Sequence, residues 1–177
     1  MINDSNPEKT SCPKAYNNII LIGMPGTGKT TVGKLLGELL GYDFIDTDQL
    51  ISNRAGKTPR QLVEESGRDF FLKVQDAAVL DIGCNNCVIA TGGGLVHSNI
   101  AMKHLKELGK IIFLNTSYQV IEERMDKTRK LVRSGGSLQD LYKERIPLYM
   151  KYADIVIECD NTDPDSICKG IISFLGL

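Results

Sequence analysis

Short unbroken apolar runs alternate in this chain with longer stretches whose apolar residues recur every three or four positions. Asn17 to Ile22 (NNIILI) predicts a strand buried on both faces, closed by a glycine turn. Lys29 to Leu40 places Val32, Leu35, Leu36, Leu39 and Leu40 on a helical stripe, and Gly41 is a fitting stop. Tyr42 to Ile45 predicts a second strand. Asp46-Thr47-Asp48 and a helical stretch from about Gln49 to Asn53 follow. Gly56 to Pro59 marks a turn, in which Thr58 can cap the helix that Pro59 begins.

Phe71, Val74, Ala78 and Ile82 predict a helix over Arg68 to Ile82. Cys87 to Ala90 (CVIA) is a third buried strand, ending in Thr91 and three glycines. Ser98 is expected to cap a helix through Leu108, with Gly109 ending it. Ile111 to Leu114 is a fourth strand and Ser117 to Met125 a helix. Residues 126–136, charged and glycine-bearing, predict a mobile loop. A helix from Ser137 to about Lys151, a fifth strand at Asp154 to Glu158 and a helix from Pro164 to Leu175 complete the chain. Strands alternating with helices indicate an α/β fold: a five-stranded parallel sheet with helices on both faces.

The length of 177 residues suits one domain, read as residues 16–177 behind a polar, mobile segment at residues 1–15. That segment has no apolar core of a secretory signal. With 42% hydrophobic and 24% charged residues, a globular chain is expected and disorder throughout is excluded. No apolar run reaches the ~18 residues of a membrane span. A net charge of −1 argues against a dedicated nucleic-acid or membrane-surface binder. The five cysteines are odd in number and several sit among apolar neighbours, so reduced thiols and a cytoplasmic location are expected. Cys84 and Cys87 form a lone C-x-x-C, and His97 and His104 fit no zinc spacing.

Gly23-Met24-Pro25-Gly26-Thr27-Gly28-Lys29-Thr30 matches G-x-x-x-x-G-K-[ST], with a buried strand before it and a helix after it. Glycines let the backbone wind so that its amides, including that of Thr31 at the helix start, face phosphate oxygens. Lys29 carries charge to the outer phosphates, and the Thr30 hydroxyl is a magnesium ligand. A bare glycine turn is the competing reading, which the joint presence of lysine and threonine disfavours. Asp46 and Asp48 stand two apart at a strand end. One suits magnesium and the other a hydroxyl substrate, although either could simply cap the next helix. Gly92, Gly93 and Gly94 allow a ligand to approach the backbone, or form a tight turn. Arg124, Arg129, Lys130 and Arg133 bracket the glycine-bearing loop, and Arg145 opens the run R-I-P-L-Y. Phosphoryl transfer needs cations that fold over the transferring group; a solvated loop accounts for Lys130 and Arg133, and remains open for Arg129.

Together these residues resemble the shikimate kinase family, within the nucleoside-monophosphate-kinase-like P-loop group. The resemblance runs from about Asn17 to the C-terminus. It rests on GMPGTGKT, F-I-D-T-D at Phe44 to Asp48, T-G-G-G at 91–94, an arginine-bearing lid, and R-I-P-L-Y followed by Tyr152-Ala153-Asp154. It implies a P-loop kinase fold with a mobile lid, acting as a monomer with ATP and Mg2+. The implied reaction moves the ATP γ-phosphoryl group to the 3-hydroxyl of shikimate, a step of aromatic amino acid biosynthesis. Lys29, Thr30 and Asp46 would serve phosphate and magnesium. Asp48 would contact the substrate hydroxyls as base, and Gly92 to Gly94 would line the pocket. Arg145 would pair with the substrate carboxylate, Arg129 would be the lid arginine, and Arg124 would lie near adenine.

Two departures stand out. Phe71-Leu72-Lys73-Val74-Gln75 occupies the place of F-R-x-x-E, so leucine and glutamine stand for an arginine and a glutamate. The lid reads Arg129-Lys130-Leu131-Val132 where R-P-L-L is usual, five residues after Arg124. These leave the ATP half intact and alter the acceptor half. An enzyme acting on a different hydroxylated metabolite, and a nucleotide-binding regulator without turnover, are the alternatives.

Overall fold

The computed structural model describes residues 17–125 and 137–177. The N-terminal segment, the loop at 126–136 and Arg129 within it lie outside the described residues. Five strands form one parallel sheet: β1 (Asn18–Ile22), β2 (Asp43–Asp46), β3 (Cys87–Ala90), β4 (Gly109–Asn115) and β5 (Ile155–Glu158). Their order across the sheet is β2-β3-β1-β4-β5. All neighbours run parallel, so every strand's carboxyl end meets the same rim.

The helices are α1 (Lys29–Leu40), α2 (Thr47–Ala55), α3 (Pro59–Ser66), α4 (Arg68–Leu80), α5 (Asn99–Leu108), α6 (Tyr118–Arg124), α7 (Leu138–Tyr152) and α8 (Pro164–Leu175). Central strand β1 is buried at all five positions, and its side chains divide by parity. Ile20 and Ile22 pack with Val79 of α4, Met102 and Leu105 of α5 and Tyr149 of α7. Ile19 and Leu21 pack with Val32 and Leu36 of α1 and Ile167 and Ile171 of α8. A smaller cluster of Ile51, Leu62 and Ala78 joins α2, α3 and α4 beyond the β2 edge.

Several predicted punctuation signals act as read. Gly41, at φ 66°, caps α1. Thr58, just ahead of Pro59, forms a capping box with Gln61 in the first turn of α3, and Ser98 caps α5 by accepting from the Ala101 N–H. Other boundaries move. Gly109 closes α5 but is also the first residue of β4, because pairing with Asn18 extends that strand to its amino end. The second strand shifts to Asp43–Asp46 and α2 starts at Thr47, so Asp48 lies in a helix rather than at a strand end. A 3-10 turn at Leu95–His97, absent from the sequence reading, follows the glycines. Among the described residues no helix is long and apolar enough to cross a membrane.

Candidate active site

The loop between β1 and α1 winds tightly because Gly28 takes φ 87°, a left-handed conformation that glycine adopts without strain. Lys29 follows as the first residue of α1 and is buried. Its Nζ donates to the carbonyl oxygens of Gly23 (2.9 Å) and Met24 (2.8 Å). The Thr27 hydroxyl donates to the same Met24 oxygen at 3.0 Å. The loop is thus curled around its own lysine.

Asp46, the last residue of β2, makes two sets of contacts, one of them the helix cap expected from sequence. Oδ2 accepts from the Thr30 hydroxyl at 2.9 Å. Oδ1 accepts from the N–H groups of Asp48 (3.0 Å) and Gln49 (3.3 Å), capping α2. The cap and the contact to the phosphate loop are therefore one carboxylate seen from its two sides. Asp48, in the first turn of α2, faces Gly92, where a Cβ would overlap its carboxylate. The Gly92 N–H donates to the buried Thr47 hydroxyl at 2.9 Å, fixing the glycine turn against the start of α2.

The same turn meets the other walls. A Cβ on Gly93 would stand 2.9 Å from Pro25 Cδ and 3.3 Å from an Arg145 guanidinium nitrogen. Phosphate loop, glycine turn and α7 therefore touch through one residue. Tyr149, one turn beyond Arg145, donates its hydroxyl to the Gly93 carbonyl at 2.7 Å. Burial pushes the Tyr149 hydroxyl far above its usual pKa, against the opposing pull of Arg145, so it remains a donor. Arg145 is 9% exposed, and its Nε has no hydrogen-bond partner.

These groups open onto one cleft of about 830 Å³. Pro25, Gly26, Gly28, Lys29, Thr30 and Thr31 line its phosphate-loop side, and Asp46, Asp48 and Gly92–Gly94 its floor. Arg124 and Arg145 line the cleft as well. Gly23 and Thr27 do not line the cleft; they brace the loop from behind. Arg68, Gln75, His97 and Glu144 also line it and were not singled out as site residues from sequence. Spacing carried a signal for some of them. Arg68 is four residues before Leu72 and His97 three after Gly94; Tyr149, which holds the glycine turn without lining the cleft, is four after Arg145. His97 Nε2 lies 3.7 Å from a Glu144 carboxylate oxygen. Burial holds the His97 pKa below its ordinary value; the charges of Arg145 and Arg68 lower it further, against Glu144.

The cleft combines an amide-lined curl with a lysine, an acid beside a glycine floor and an arginine on the facing wall. That set can bind a polyphosphate at one end and a hydroxylated anion at the other. The family described as shikimate kinase matches residues 25–176. A shikimate kinase of Thermodesulfovibrio yellowstonii is 37% identical over 161 residues, covering 88% of this chain and 92% of its own. One from Hahella chejuensis is 36% identical over 168 residues, covering 92% and 88%. Among solved structures, the shikimate kinase from Acinetobacter baumannii in complex with shikimate superposes with a TM-score of 0.82 at 30% identity, covering 92% of this chain and 94% of that one. A gluconokinase from Sinorhizobium meliloti, at 18% identity and a TM-score of 0.54 over 90% of this chain and 91% of its own, shares the fold alone. Since the match extends from the phosphate loop to the last helix and spans nearly the whole of these relatives, the chain belongs to the shikimate kinase family.

Proposed function

We propose that this protein transfers the γ-phosphoryl group of ATP to the 3-hydroxyl of shikimate. The observation that carries the reading is the meeting at the glycine turn: Pro25 of the phosphate loop, Asp48 and Arg145 all pack against Gly92 or Gly93. Donor and acceptor therefore share one short crevice, as in-line transfer requires.

In this reading the loop amides and Lys29 bind the phosphates, with Lys29 exchanging its carbonyl partners for phosphate oxygens. Thr30 Oγ1 and Asp46 Oδ2, 2.9 Å apart, form a hard oxygen pair of the kind magnesium takes when it shares its shell with phosphates and water. Bound there, Mg2+ would offset charge on the transferring group. Asp48 accepts the proton of the attacking hydroxyl and orients it. Arg145 pairs with the acceptor's carboxylate, and Arg124 borders the nucleotide end. Arg129, outside the described residues, is proposed to cover the phosphates from the loop at 126–136.

The test is ADP release with shikimate, compared with a panel of polyols, sugar acids and other cyclic hydroxy acids. Turnover of shikimate well above the rest is expected. Asp48→Asn should lower kcat by roughly 10²- to 10⁴-fold, the range of a lost general base, with ATP binding retained. Turnover confined to another acceptor, or an Asp48→Asn variant as active as the parent, would overturn the reading.

A further inference from the structure

Two helices, α4 and α7, contribute side chains to the lining of the one cleft. From α4 the lining residues are Arg68, Phe71, Leu72 and Gln75, one helical face at i, i+3, i+4 and i+7. From α7 they are Leu141, Glu144 and Arg145. Among the described residues, Arg68 is the one cation that α4 brings to the cleft; Lys73 is exposed and lies off that face. Leu72, one turn further on, adds no charge. His97 lines the same cleft, and the charges of both Arg145 and Arg68 act on its ring.

Two buried donors of this lining lack partners. Gln75 is 3% exposed and its Nε2 makes no hydrogen bond, and neither does Arg145 Nε. Buried N–H groups left unpaired are rare and costly, so two lining one cleft mark the place of an acceptor group. A carboxylate suits it, because it can take a charged fork from each wall and a neutral amide from below.

We propose that Arg68 is a specificity-determining substrate residue: its guanidinium pairs with the acceptor's carboxylate from the α4 side while Arg145 holds it from α7, with Gln75 Nε2 donating beneath. This rests on the proposed phosphorylation of a carboxylate-bearing alcohol. Because Arg68 is exposed at the first turn of α4, it can be replaced without disturbing the core.

The experiment is calorimetric titration, with ADP present, of shikimate and of its methyl ester, the uncharged probe. The proteins are wild type, Arg68→Ala and Arg68→Lys. Arg68→Ala should weaken shikimate binding about 10-fold or more, as loss of a charge-assisted bond implies. Arg68→Lys should recover part of that loss, since it keeps the charge but not the fork. The ester should bind all three proteins alike, and KM for ATP should not move. Unchanged shikimate binding in Arg68→Ala, or equal weakening of acid and ester, would overturn the proposal. Shikimate binding without ADP release in the wild type would instead sink the proposed function and leave the clamp standing. No shikimate binding to the wild type would end both.

Discussion

Gly92 has no room for a side chain, since a methyl group there would overlap the Asp48 carboxylate. Any residue but glycine would push the acid away from the floor of the cleft. With Asp48 as the proposed base, Gly92→Ala should therefore lower kcat by roughly 10²-fold, the loss that a displacement of about 1 Å incurs, while ATP affinity stays near that of the parent. Steady-state kinetics with each substrate varied in turn would show the difference. Asp46 carries a separate lesson. It caps α2 with one oxygen and accepts from the Thr30 hydroxyl with the other, because a carboxylate has two oxygens and the chain presents them to two elements; the cap expected from sequence is there, and magnesium binding at the same carboxylate remains the proposal.

The strands are held in register by more than their own ladder. Asn18, at the amino end of β1, is buried; its Nδ2 donates to the carbonyls of Cys84 (2.8 Å) and Leu108 (3.2 Å), and its Oδ1 accepts from the Cys87 N–H (2.9 Å). One side chain thus fastens the start of β3 and the end of α5 to the central strand. Asn18→Ala leaves three main-chain groups without partners and should cost about 2–4 kcal/mol, measured by urea denaturation. Nothing in N-N-I-I-L-I announces this, because the partners of the Asn18 side chain lie 66, 90 and 69 residues further along the chain. The glycine ends and hydroxyl caps of the helices were legible, since each acts within three or four residues of itself. The start of β4 was not, because pairing with a distant strand sets it.

Across the whole molecule, burial sets how stability responds to pH. His97 has a folded pKa below the 6.5 of the free side chain, so the unfolded chain binds more protons below that pH. Stability is then full above about pH 6.5 and declines as pH falls from there toward the lower folded value. Burial pushes the thiols of Cys87 and Cys159 up to about 12, and that of Cys168 to about 11. These groups stabilise the fold below their unfolded value of 9.0, and that contribution fades as pH climbs toward 11 and 12. Denaturation midpoints followed from pH 5 to pH 10 should fall at both ends, and His97→Asn should flatten the acid limb. A midpoint that stays level between pH 6.5 and pH 5 in the parent would contradict the assignment.

The order of residues alone settled the α/β alternation, the glycine-bounded strands and helices, and the phosphate-binding curl. Each follows from apolar spacing or from backbone freedom expressed over a few neighbouring positions. Folding in three dimensions was needed to bring Arg68 and Gln75 of α4 into one cleft with Arg145 of α7, to set Tyr149 against Gly93, and to turn His97 from an isolated histidine into a cleft residue. Those relations depend on which face of each helix the sheet and the α2–α3–α4 cluster bury. Helical spacing marks which residues share a face, as Arg68 with Leu72 and Tyr149 with Arg145, but which face meets the cleft is decided by contacts between segments dozens of residues apart.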